Sequence, residues 1–80
     1  MKIPSIKKLV DSFSLEQLQA AEAAILEEQK PAIEVEGDDE GEQLTHIMAA
    51  QFIRQEMDQK GADYLTALRA YSGRVRNSIS

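Results

Sequence analysis

The residues best able to do chemistry lie in one short stretch near the middle of the chain. Six carboxylates fall within nine positions and a histidine follows them: Glu34, Glu36, Asp38, Asp39, Glu40, Glu42 and His46. Carboxylate oxygens bind divalent cations, and they also attract the lysines and arginines of a protein partner. Clustering like charges costs repulsion that a fold selected only for solubility would avoid. We therefore place the candidate functional site in residues 34–46.

A calcium-binding loop of the EF-hand type does not fit this spacing. With Glu36 as the first ligand, the ninth position is Leu44 and the twelfth, which should be a bidentate glutamate, is Ile47. Glu42 and His46 share a helical face and can together contact a metal or exchange a proton. Zinc needs three or four protein ligands, however. The favoured interpretation is a surface histidine beside Glu42, and no metal site or cofactor is predicted.

Nucleophilic catalysis has no support in the sequence. The chain has no cysteine, which excludes thiolate nucleophiles, disulfides and zinc sites of the cysteine type. The nearest hydroxyl and imidazole belong to Thr45 and His46, but adjacent helical residues point about 100° apart and cannot form a dyad. Tyr64 and Tyr71 are seven residues apart, a spacing typical of core side chains. We expect the protein not to be an enzyme and to have no catalytic residues.

The charge distribution limits the class of partner. Residues 14–42 contain ten acidic side chains and one lysine, and the chain has a net charge of -5. An acidic surface repels nucleic acid, and Arg69, Arg74 and Arg76 are a poor footprint for phosphates. The predicted partner is a protein with a basic surface, unless these arginines neutralise the acidic segment internally. Neither a membrane span nor a signal peptide is predicted, so we expect a cytoplasmic protein.

Four amphipathic helices are predicted to position this segment within one domain, residues 1–80. Apolar residues recur at helical spacings over residues 4–13, 15–29, 42–60 and 64–78. Ser14 and Gln17 have the spacing of a capping box, and Asp63 can cap the fourth helix. Gly61 is placed to end the third helix, and Pro31 disfavours helical geometry before it. The predicted fold class is all-α.

The segment between the second and third helices is predicted to be an acidic extended link. Ile33 and Val35 alternate with Glu34 and Glu36, which is the period of a half-buried strand. No second segment repeats the pattern, and a lone strand has no ladder to join. We interpret Ile33 and Val35 as plugs of the core, followed by an acidic turn over residues 37–41. Pairing of the link with its copy in a dimer is the alternative.

Weak self-association is a further expectation. The third helix has a wide apolar arc that includes Leu44, Ile47, Met48, Phe52 and Ile53. Three neighbouring helices in so small a domain leave part of this arc uncovered, and a homodimer would bury it together with Ile33 and Val35. The alternative is that Ala49 and Ala50 allow close helix packing within one chain.

Two stretches of the chain resemble a known family. They are residues 1–10, MKIPSIKKLV, and residues 34–47, EVEGDDEGEQLTHI. Both are similar to a family of small bacterial proteins of the Bacteroidota type whose function is unknown. The resemblance implies a bacterial cytoplasmic protein and assigns no activity or catalytic residues.

These observations favour a non-enzymatic protein-interaction or regulatory module that binds its partner through the acidic segment. The hypothesis depends on the failure of each catalytic pattern and on the contiguous run of carboxylates. The alternative is a protein that binds a divalent metal or a small molecule through the acidic link and His46.

Overall fold

The computed structural model describes residues 2–79 of the chain, with side chains for residues 2–75. It contains four helices: α1 (Ile3–Ser12), α2 (Leu15–Leu26), α3 (Glu40–Lys60) and α4 (Tyr64–Ile79). No strand occurs in this part of the chain, so the predicted all-α fold is confirmed. The bounds of α1 and α4 lie within one residue of the prediction. Among the same residues, no helix is long and apolar enough to cross a membrane.

Helix α3 is the central element, because α1, α2 and α4 each pack against it. Its buried face carries Ile47, Ala49, Ala50 and Ile53, all fully buried. Because Ala49 and Ala50 have short side chains, neighbouring helix axes can approach α3 closely at this face. Apolar side chains of α1 and α2 and Ala67 of α4 complete the core.

Short-range side-chain caps begin α2 and α4 as predicted. Ser14 Oγ accepts the Gln17 backbone N–H at 3.2 Å, and Gln17 Oε1 accepts the Ser14 N–H at 2.9 Å. Asp63 Oδ1 accepts the Thr66 N–H at 2.8 Å. This bond favours the charged carboxylate and holds the pKa of Asp63 below its usual range.

The start of α3 differs from the prediction. The helix begins at Glu40 rather than at residue 42, because the Asp39 carboxylate accepts the Glu42 N–H at 2.8 Å and caps it there. The predicted acidic turn over residues 37–41 is therefore partly helical. Gly37 precedes the cap with a φ of 157°, and a Cβ at this position would lie 2.7 Å from Gln43 Cγ. Glycine is required there for the link to lie against α3.

The end of α2 also differs from the prediction. The helix ends at Leu26 instead of residue 29, so Pro31 does not end it. The Glu28 N–H donates to Ile25 O at 3.0 Å and the Gln29 N–H donates to Ala24 O at 2.7 Å. These two bonds form a Schellman motif, whose left-handed position is usually glycine. Here Glu28 occupies it with a φ of 59°.

The link confirms the prediction that its apolar residues plug the core. Val35 is buried and Ile33 is half-buried against the core cluster. Val35 therefore provides no surface for self-association, whereas Ile33 keeps part of its side chain accessible, and the weak dimer stays a prediction. Met48 of α3 does remain 52% exposed.

Replacing Glu28 with glycine should stabilise the protein by about 1 kcal/mol, because a side chain with a Cβ is disfavoured in the left-handed conformation. Gln19→Gly is the matched control, since it lies on the exposed face in the middle of α2 and should cost about 1 kcal/mol. Urea unfolding followed by circular dichroism measures both free energies. Equal destabilisation by the two variants would contradict the assigned end of α2.

Candidate functional site

The imidazole of His46 lies inside the protein and not on the surface of α3. It is 0% exposed, because it shares a helical face with the buried Ala49, Ala50 and Ile53. The prediction of a surface histidine paired with Glu42 is therefore wrong. The spacing of these four residues, at positions i, i+3, i+4 and i+7, is the sequence signal that places His46 in the core.

Both ring nitrogens of His46 form hydrogen bonds with backbone groups. Nε2 accepts the Lys2 N–H at 3.0 Å, and Nδ1 lies 2.8 Å from the carbonyl oxygen of Glu36. A carbonyl oxygen can only accept, so the proton is on Nδ1 and the imidazole is neutral. The side chain thereby joins α3 to the start of α1 and to the acidic link.

The bond to Lys2 supplies a cap that α1 lacks in its own sequence. No side chain within α1 caps its start, and Lys2 occupies the N-cap position. In α2, Gln17 accepts the N-cap N–H of Ser14 from three residues away, whereas His46 does the same for Lys2 from 44 residues away. A helix of 10 residues is marginal by itself. The start of α1 therefore depends on α3.

Several of the predicted site carboxylates are bonded within the chain. Asp39 caps α3, and Glu42 Oε1 accepts the Asp38 N–H at 3.3 Å. The Lys2 ammonium lies 4.0 Å from Asp38 Oδ1, and Lys8 Nζ lies 3.9 Å from Glu36 Oε1. These ion pairs join exposed side chains at long distance, so each contributes little to stability.

The arginines of α4 are, from the sequence, an alternative source of neutralising charge for the acidic segment. In the described part of the chain, the link forms ion pairs with Lys2 and Lys8. Arg74 lies over the Phe52 ring, 5.4 Å from its centroid. The positive charge of Arg69 favours the charged form of Asp63 and adds a small lowering of its pKa. The side chain of Arg76 is outside the described residues.

A cleft of about 430 Å³ lies between the end of α2, the link and the start of α3. Its walls include Ile25, Glu28, Ile33, Glu34, Glu40 and Gln43, and we call it the acidic cleft. The three glutamates are exposed, while Ile25 is buried and Ile33 is half-buried. Gln43 Nε2 donates to Val35 O at 3.2 Å, which fixes the link against α3. The cleft thus combines an apolar floor with carboxylates at its edge.

Only part of the predicted site reaches this cleft. Glu34 and Glu40 line it, whereas the other predicted carboxylates lie outside its walls. Sequence reasoning missed Glu28 and Lys30, which also line it. They reach the cleft because the chain turns at Glu28, whose backbone is left-handed. Glutamate rarely adopts this conformation, so the sequence gives no signal for the turn.

Substitution of His46 tests whether its two bonds are structural. His46→Leu should lower the free energy of unfolding by about 2 kcal/mol, because it leaves the Lys2 N–H and the Glu36 carbonyl without partners. His46→Gln retains an acceptor near the Nε2 position, and His46→Asn retains a donor near Nδ1. Amide exchange measured by NMR should show Lys2 protected in the Gln variant and unprotected in the Asn variant. A Leu variant as stable as the parent would show that His46 only fills space.

A known protein family matches the whole chain. The model of a family described as "Family of unknown function (DUF6952)" matches residues 1–80. The expected resemblance to a family of unknown function is thereby confirmed. No curated protein and no solved structure matches the chain.

Proposed function

We propose that this chain, which belongs to the DUF6952 family of unknown function, is a non-enzymatic protein-interaction module that binds a basic segment of a partner protein in the acidic cleft. The observation that carries the proposal is the set of three exposed carboxylates, Glu28, Glu34 and Glu40, around a partly apolar cleft. The net charge of -5 adds long-range attraction for such a partner.

The cleft suits lysine or arginine side chains, because it offers apolar surface for their aliphatic stems as well as carboxylates for their charged ends. The aliphatic stem of such a side chain packs on apolar surface while its charged end stays near water and carboxylates. Ile33 offers apolar surface, and Glu34 and Glu40 offer charge. Lys30 lines the same cleft, so it repels a second cation at that position and restricts where the basic residues of the partner bind.

A metal-binding function is less well supported by the same residues. In the part of the chain that the structure describes, no three acidic or histidine side chains lie close enough to hold one metal ion. Both nitrogens of His46 are bonded to backbone groups. Dispersed carboxylates match the charges of an extended basic segment, which are several residues apart, better than the compact shell of a cation.

The proposal includes a bacterial cytoplasmic location. It is supported by the resemblance of residues 1–10 and 34–47 to small bacterial proteins. An acidic module can find basic protein segments there by electrostatic attraction.

A peptide of alternating arginine and leucine is a suitable probe, titrated into the protein at low salt and followed by NMR of the backbone amides. Shifts should concentrate in residues 28–43. Glu34→Gln combined with Glu40→Gln should weaken binding by about tenfold, because two carboxylates at the bound cations are lost. Higher salt should weaken binding as well.

The matched control is Glu16→Gln combined with Asp58→Asn, which removes the same charge outside the cleft and should weaken binding by about twofold or less. Equal loss in the two double variants would show that only net charge matters and would contradict the proposed site. A parallel titration with calcium, magnesium and zinc addresses the alternative function. Saturable shifts in residues 34–46 with one of these ions, and none with the peptide, would replace the proposal.

A further inference from the structure

A second concave surface lies on the opposite side of α3 from its buried face. It is a groove of about 440 Å³ between α2 and α4, with α3 as its floor. Met48, Gln51 and Phe52 contribute to the floor, Glu22 lies on the α2 wall and Arg74 lies on the α4 wall. We call this surface the α2–α4 groove. It shares no residue with the acidic cleft.

We infer that the α2–α4 groove is the contact surface of a homodimer. Its floor has the character of an interface core, since Met48 is 52% exposed and the ring centroids of Phe52 and Tyr71 lie 5.6 Å apart beside it. Methionine and aromatic residues are enriched at such cores.

The charges of the two walls indicate a second copy as the occupant. One wall carries the acidic Glu22 and the other the basic Arg74, so the surface is complementary to itself. A two-fold axis parallel to α3 places the α2 wall of each copy against the α4 wall of the other. Glu22 then faces Arg74 of the second copy twice.

The other simple arrangement is disfavoured by the same two residues. A two-fold axis across α3 places α2 against α2 and α4 against α4, so that Glu22 faces Glu22 and Arg74 faces Arg74. Like charges face each other in both places. The wall charges therefore select the arrangement in which the two α3 helices run in the same direction. Because each chain has a net charge of -5, long-range repulsion keeps the dimer weak.

A charge exchange tests this dimer directly. Sedimentation equilibrium should show the parent chain in a monomer–dimer equilibrium at the concentrations used for NMR. Glu22→Arg and Arg74→Glu should each weaken association by about tenfold, because each variant places like charges across both contacts. An equimolar mixture should recover the parent affinity, since the two substituted side chains then face each other with opposite charges. The unchanged Glu22 and Arg74 form the other contact. Circular dichroism verifies that both variants fold.

A second pair of variants keeps the test valid if a charge variant fails to fold. Met48 and Leu65 are both 52% exposed, but only Met48 lines the groove. Met48→Lys should abolish association, and Leu65→Lys should leave it unchanged. A parent chain that stays monomeric at these concentrations would overturn the inference. So would a mixture of the charge variants that associates no better than either alone, or equal loss from the Met48 and Leu65 variants.

Discussion

The two hydrogen bonds of the buried His46 imidazole connect segments that are far apart in the sequence. One bond reaches the backbone of Lys2, 44 residues away, and the other reaches Glu36 in the link. Without the first bond, the N-cap N–H of α1 has no acceptor. Without the second, the link loses a contact that holds it on α3. The neutral ring offers one donor and one acceptor. The start of α1 therefore binds at Nε2 and the link binds at Nδ1.

The hydrogen bonds that fix the link to α3 also determine which link side chains lie on the surface. The link is fixed to α3 at Glu36 by His46 and at Val35 by Gln43. Successive side chains of an extended segment point to opposite sides, so with Val35 buried the neighbouring Glu34 faces outward. The buried contacts of the link therefore determine that Glu34 lies on the exposed side, where it lines the acidic cleft.

Local sequence signals predict much of the fold, and long-range contacts are the part they cannot provide. Ser14 and Asp63 cap helices within three residues of themselves, so their patterns are visible in the sequence. Asp39, three residues before Glu42, has the same local pattern. The bond from Lys2 to His46 has no local signal. The sequence presents the acidic run as a single site, but hydrogen bonding and burial divide it into structural and exposed groups.

The protonation of the His46 ring is the most direct test of its role as a connector. Long-range proton–nitrogen correlation NMR at neutral pH distinguishes the two neutral forms of the imidazole by their nitrogen shifts. We predict a single slowly exchanging form with the proton on Nδ1 and a bare, hydrogen-bonded Nε2. A proton on Nε2, or the averaged shifts of a freely exchanging surface histidine, would show that His46 does not join α1 to the link.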